Sequence, residues 1–181
     1  MKGIINKGIQ ELVETKFGVE AWLKIKELAN CEEPFFAASE NYPDEMTIAL
    51  VKAAAEVSGL SPEEVQVEFG KYWVPNTGRK AYPTFFQIAG TTPREFLINM
   101  NRVHDIATRT AVGAAPPKFS YEELPDGKLI MRYHSKRKLC SVLRGLIMGV
   151  GILYQKELEV VEKCCMFQGA DYCEMEISFD A

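Results

Sequence analysis

A chain of 181 residues with 47% hydrophobic composition can bury one sizeable core and is short for two ordinary domains, so a single domain is expected. Its net charge of -4, from 21 basic and 25 acidic residues with no concentrated Lys or Arg stripe, argues against a nucleic-acid partner. The opening MKGIINKGIQELVETKFG scatters charges through its apolar residues, unlike a signal peptide, and no run reaches the roughly 20 apolar residues of a membrane helix, so a cytoplasmic protein without membrane contact is expected.

Ile5, Ile9, Leu12 and Val13 recur at helical spacing, as do Trp22, Ile25 and Leu28, which predicts two amphipathic helices over residues 2–30 broken near Gly18. After a loop with Pro34 and Pro43, Asp44 is placed to cap a helix carrying Ile48, Val51, Ala54 and Val57, with Gly59 as its terminator. Ser61, Pro62 and Glu64 form a capping-box start with proline at the first helical position, and Thr92, Pro93 and Glu95 repeat it. From Thr92, Phe96, Leu97, Met100, Val103, His104 and Ala107 share one helical face, which places His104 on the buried side; Asn99, Arg102, Asp105 and Arg109 fall elsewhere.

Beyond Pro116 and Pro117, two short segments flank Pro125, Asp126 and Gly127, as in a β-hairpin. Residues 137–156 return to helical period through Leu139, Leu143, Leu146 and Val150. Two last strands surround Gly169, Ala170 and Asp171, with Cys173, Met175, Ile177 and Phe179 alternating inward. Helices followed by an antiparallel sheet with an inserted helix define an α+β fold, its helical part about 1–112 and its helix/sheet part about 113–181.

His104 is one of two histidines, and a neutral imidazole on an apolar helix face can give one nitrogen to a metal while the other is held by a hydrogen bond. The ordinary alternative is a hydrogen-bonded core histidine. Tyr133, Ser135 and Arg137 alternate at the end of a strand, so in an extended chain two hydroxyls and a guanidinium share a face and form an anion clamp. A solvated strand face is the alternative there, and His134 points the other way. Five cysteines, Cys31, Cys140, Cys164, Cys165 and Cys173, are an odd number without an export signal, which favours thiols or metal ligation over a disulfide framework.

The combination is more specific than its parts. A helix-borne His104, a Pro-Pro pair ending at Pro117 and Tyr-x-Ser-x-Arg from Tyr133, with the opening MKG, FGKYWV at Phe69–Val74 and the closing GADYC, resemble the haem nitric-oxide/oxygen-binding (H-NOX) family. That family includes the sensor domain of soluble guanylate cyclase, and the resemblance spans essentially the whole chain. It implies haem b buried between the helical and sheet parts, His104 as proximal iron ligand, and Tyr133, Ser135 and Arg137 on the propionates. Pro117 would press on the porphyrin. In oxygen-binding relatives a distal tyrosine follows the clamp; Val142 stands at that position here, and Ile5, Ile9, Trp73, Val74 and Leu146 complete an apolar pocket. Nitric oxide and carbon monoxide are therefore the expected ligands and oxygen is excluded, the indole N–H of Trp73 and the hydroxyl of Tyr72 being the polar exceptions.

The resemblance also implies a structural zinc at Cys140, Cys165 and Cys173. Relatives supply a histidine where Glu162 stands, so either Glu162 or Cys164 is the fourth ligand, and strand alternation disfavours Cys164 beside Cys165. Otherwise these thiols are small buried hydrophobes or, if accessible, a redox sensor. For signalling, the family implies that NO releases His104, relaxes the porphyrin near Pro117 and changes a surface read in trans by a sensor histidine kinase or a diguanylate cyclase or phosphodiesterase. No catalysis is expected. The competing readings are a haem-free small-molecule or zinc module of the vinyl-reductase type, suggested by GADYCEMEI, and an enzyme using Cys164 or Cys165 as nucleophile with His104 as base.

Overall fold

Gly18 turns the chain at a φ of 85°, and α1 (Gly3–Phe17) and α2 (Val19–Leu28) pack on either side of it. The structure is a computed structural model and describes residues 1–109 and 116–179. Helix α3 (Asp44–Ser58) ends at Gly59 in the left-handed conformation, as its sequence predicts. Its start differs: Pro43 is the N-cap residue and Asp44 makes no cap bond, because its carboxylate is taken by distant partners described below. Both capping boxes form, Ser61 with Glu64 on α4 (Pro62–Trp73) and Thr92 with Glu95 on α7 (Pro93–Ile98). Between them, a π-helical turn over Val74–Gly78 leads into the short α5 (Arg79–Ala81) and α6 (Pro83–Ala89).

The single helix expected from Thr92 is two. Asn99 interrupts it at a ψ of 0° and donates its amide to Ala89 O at 2.9 Å, and α8 (Met100–Thr108) follows. Phe96, Leu97 and Val103 remain buried and His104 half-buried, but Ala107 is exposed.

The strands β1 (Lys118–Glu123), β2 (Leu129–His134), β3 (Glu159–Cys164) and β4 (Cys173–Ser178) form one antiparallel sheet in the order β1-β2-β4-β3, with α9 (Cys140–Leu153) between β2 and β3. Alternation puts Phe119, Met131, Tyr133, Cys173, Met175 and Ile177 on the buried face. Phe179 lies beyond β4, with the Arg94 guanidinium 4.4 Å from its ring centre. Helix α9 is shorter than expected because residues 135–138 form a turn and Lys138 has a φ of 51°. Two hydrophobic clusters result, one joining the sheet to α7, α8 and α9, the other inside α1–α4, and Trp73 packs against both. Among the described residues, no helix is long and apolar enough to cross a membrane.

Helices α4 and α9 cross backbone to backbone. A Cβ at Gly70 would strike the main chain of Val142, Gly145 and Leu146, one at Gly145 the carbonyl of Val67, and one at Gly149 would lie 2.7 Å from Gly70 O. All these obstacles are backbone, so they cannot rotate away. Gly145→Ala should therefore lower stability by about 3 kcal/mol and the melting temperature by roughly 6–12 °C, read from thermal circular dichroism. A melt within about 2 °C of the parent would show that the crossing has room for a methyl group.

Candidate functional site

Helix α8 carries His104 with its ring half-buried and Nδ1 fully buried, without a hydrogen-bond partner. Burial lowers its pKa below the ordinary value, outweighing the opposing pull of the Asp105 carboxylate, so the ring is neutral near pH 7. Its centre lies 5.9 Å from the ring of Phe119 on β1. A neutral imidazole with a buried, unsatisfied nitrogen has the chemistry of a metal ligand, and at Nδ1 the ordinary alternative of a hydrogen-bonded core histidine is not met.

Tyr133, Ser135 and Arg137 are brought together, by a turn and not by an extended strand. Strand β2 ends at His134; the Tyr133 hydroxyl then accepts from Leu139 N at 3.3 Å and Ser135 Oγ accepts from Arg137 N at 3.2 Å. Tyr133 is buried and Arg137 exposed. The Arg137 guanidinium reaches across to α3, donating from Nε to Asp44 Oδ2 at 2.9 Å, while the amino group of Met1 donates to Asp44 Oδ1 at 2.6 Å and to Tyr42 O at 2.5 Å. Arg137 thus already grips a carboxylate, the chemistry a propionate would offer. His134 is exposed against Tyr172, as expected.

On the opposite side, Ile9 and Val74 are buried, and Ile5, Trp73, Val142 and Leu146 are half-buried at the seam of the two clusters. The Tyr72 hydroxyl pairs with Thr15 Oγ1 at 3.2 Å, so it is spoken for. Trp73 Nε1 is buried without a partner, and the indole is wedged between Gly8 and Gly78, where a Cβ would collide with it. Pro117 is half-buried just before β1. Two open clefts lie elsewhere among the described residues, one of about 330 Å³ between α1, α3 and α4 and one of about 390 Å³ beside Arg79 and Tyr154, neither lined by His104, Tyr133 or Trp73.

The sheet assembles a second centre. The ligating atoms of Cys140, Glu162, Cys165 and Cys173 all lie within 4.8 Å of one another. Cys140 and Cys173 Sγ are 2.6 Å apart, and Cys173 and Cys165 Sγ 3.7 Å. Glu162 pairs with Met175 and so belongs to the same side of the sheet, whereas Cys164, past a bulge, pairs with Glu174 and turns its thiol to Tyr172 O. Burial and the neighbouring thiols push the Cys140 thiol up, which keeps it protonated near neutral pH. Sequence reasoning missed Asp44 as the partner of Arg137, and Phe119 and Asn101 beside His104; none carries a local signal separable from ordinary surface or core residues.

The profile of the family described as Haem-NO-binding matches residues 2–162, and the chain belongs to that family, one of haem-based gas-sensing domains without catalysis of their own. Among curated relatives, soluble guanylate cyclase gcy-33 of Caenorhabditis elegans is 20% identical over 162 residues, which is 88% of this chain and 17% of the relative. Soluble guanylate cyclase gcy-35 of the same organism is 25% identical over 156 residues, 83% of this chain and 22% of its own length. The chain therefore spans about a fifth of these relatives. Among solved structures, the H-NOX protein of S. oneidensis in the Fe(II)NO ligation state aligns over 100% of both chains with a TM-score of 0.90 and 20% identity. The I5F mutant of the T. tengcongensis H-NOX aligns over 100% of this chain and 98% of its own, with a TM-score of 0.85 and 24% identity. These two likenesses establish the α+β fold.

The network of Met1, Asp44 and Arg137 has a pH signature. Hydrogen bonds from the Met1 amino group and from Arg137 hold the Asp44 carboxyl below its ordinary value of 3.8. A depressed carboxyl stabilises the fold above its unfolded value, and that contribution disappears as pH falls through the lower folded one. Asp44→Asn should cost less than about 1 kcal/mol at pH 7, because Arg137 and Asp44 are 41% and 39% exposed. In urea unfolding, the gap between parent and variant should close as pH drops below 3.8; a gap that widens there would contradict the pairing.

Proposed function

We propose that this chain holds haem b through His104 and senses nitric oxide, excluding oxygen, for a separate signalling protein. The observation that carries the reading is the neutral, half-buried imidazole of His104, whose Nδ1 is fully buried without a partner and whose ring lies beside Phe119, on the strand that pairs with Tyr133. When bound, the haem supplies a ferrous iron that takes NO or CO and, on taking NO, weakens its hold on the histidine.

The chain's own residues do the rest. His104 supplies a neutral nitrogen, needing no proton removed near pH 7. Tyr133, Ser135 and Arg137 offer two hydroxyls and a guanidinium to the propionates, Asp44 keeping the guanidinium in place. Pro117 supplies a rigid apolar contact. Val142 puts a hydrocarbon where an oxygen-stabilising hydroxyl would be needed, and Ile5, Ile9, Val74 and Leu146 keep the distal side apolar. Helix α8 would be held through His104 while the haem is bound, and a surface changed by a shift of α8 is what a histidine kinase, or a diguanylate cyclase or phosphodiesterase, would read. The enzyme alternative is disfavoured because His104 Nδ1 has no thiol within hydrogen-bond reach. The haem-free alternative leaves that nitrogen without a use.

Absorption spectra of the reduced protein test this directly. A Soret band of five-coordinate ferrous haem that survives brief air and moves to shorter wavelength with NO is expected, and His104→Gly should bind haem stably only with added imidazole. A featureless spectrum after haem addition would end the haem reading.

Zinc is the second part of the proposal, held by Cys140, Cys165, Cys173 and Glu162, a donor set suited to tetrahedral coordination; the 3.7 Å between Cys165 and Cys173 Sγ matches two zinc-bound thiolates, and the 2.6 Å between Cys140 and Cys173 would open on binding. Purified protein should carry about one zinc per chain by elemental analysis, and Cys173→Ser should carry less than about a third of that. Equal metal content in both proteins would leave the buried-thiol reading in its place.

A further inference from the structure

The outer strand β1 has its free edge closed by a side chain. An outer strand presents N–H and C=O groups without a neighbouring strand. At Phe119 both are taken by Asn101 of α8, whose Nδ2 donates to Phe119 O at 2.7 Å and whose Oδ1 accepts from Phe119 N at 3.0 Å. A primary amide can donate and accept side by side, so Asn101 reproduces the paired bonds of an adjoining strand.

His104 lies one helical turn further along the same side of α8. Phe119 therefore has its backbone fixed by Asn101 and its ring between those of His104, at 5.9 Å, and Tyr133, at 5.8 Å. The same N-terminal end of α8 is tied a second time by Asn99, its N-cap residue, whose amide donates to Ala89 O of α6. Two side-chain attachments thus hold the short helix apart from His104 itself, one at its break and one on the sheet.

We propose that Asn101 is a positioning residue: it docks α8 on the edge of β1, sets His104 in place, and carries any displacement of α8 into the sheet. With Asn99 as pivot, movement at His104 pulls on Phe119 through Asn101. Phe119 is paired with Tyr133 across the β1–β2 ladder, so the pull arrives at the clamp. A helix without this tie could shift and leave the sheet where it was. The docking stands on geometry alone; the relay rests on the haem reading.

Hydrogen–deuterium exchange separates the two. In the protein without haem, Asn101→Ala should speed exchange of the Phe119 amide about tenfold or more, while Asn101→Asp, which keeps an acceptor for that N–H, should retain most of the protection. In the haem-loaded protein, NO should change exchange across β1 and β2 in the parent. That change should fall by at least half in both variants, because neither donates to Phe119 O. Thermal melts of all three proteins identify a variant that has merely lost its fold, and the aspartate variant then decides. Unchanged Phe119 exchange in the alanine variant would overturn the docking, and an undiminished NO response in folded variants would overturn the relay. A parent that takes up no haem overturns the relay together with the haem reading, while accelerated Phe119 exchange in Asn101→Ala still supports the docking.

Discussion

Two backbones in direct contact set the geometry on which the rest depends. Where α4 crosses α9, Gly70, Gly145 and Gly149 remove every side chain that would keep the helices at ordinary distance. The end of α4 carries Trp73, with Val74 in the turn that follows, while α9 carries Val142 and Leu146, so the crossing fixes the distance between the two sides of the proposed distal wall. It also fixes Cys140, the first residue of α9 and a member of the thiol cluster. The distal wall and the thiol cluster are therefore carried by one rigid unit, and a methyl group added at the crossing has only main chain to push against.

The sheet joins the same places from the other side. In register, Phe119 faces Tyr133 and Tyr133 faces Cys173, so one row across β1, β2 and β4 runs from the neighbour of His104 through the clamp tyrosine to the thiol cluster. Cys173 and Met175 are fully buried, which leaves this row little freedom to deform residue by residue. The chain of Met1, Asp44 and Arg137 then ties the clamp to the helical part. Each element of the proposed sensor touches a neighbour that belongs to a different element, which is how a local change at His104 could become a change of surface.

What was legible in the sequence was what is decided locally. The capping boxes at Ser61 and Thr92, the glycine stop at Gly59 and the hairpin around Asp126 and Gly127 depend on residues a few positions apart, and all form. His104 stood out as a rare residue on an apolar face, and Cys164 was separable from Cys165 by strand alternation, while its separation from Glu162, two residues away, comes from a bulge that alternation does not foresee. What was not legible depends on partners far along the chain. The break at Asn99 is stabilised by Ala89 O on another helix, the capping role of Asp44 is lost to Arg137 and the amino terminus, and the residues of the proposed clamp follow a turn that alternation alone does not describe. Asn101 reads as a surface polar residue until the edge of β1 is beside it.

Buried polar atoms left unpaired are costly, about 1–3 kcal/mol each, so a fold keeps few of them without a reason. Among the described residues, the unpaired buried side-chain atoms are Asn6 Nδ2, Trp73 Nε1 and His104 Nδ1. This same fold finds partners for other deep polar groups, such as the Tyr121 hydroxyl on Leu97 O at 2.7 Å and the Tyr154 hydroxyl on Gly90 O at 2.6 Å. Asn6 is half satisfied through Thr47, which donates to its Oδ1 at 2.7 Å. For His104 the proposed role as iron ligand supplies the reason. The indole of Trp73 is a different case: its pyrrole edge rests on α1 at Gly8, where a Cβ would lie 3.5 Å from Nε1, and its benzene edge is blocked by Gly78. A donor wedged in this way cannot swing to follow a ligand as a tyrosine hydroxyl on a flexible rotor can. With Val142 offering no hydrogen bond and the Tyr72 hydroxyl committed to Thr15, these residues supply no mobile donor, and under the proposed reading that favours a ligand that binds without one over oxygen.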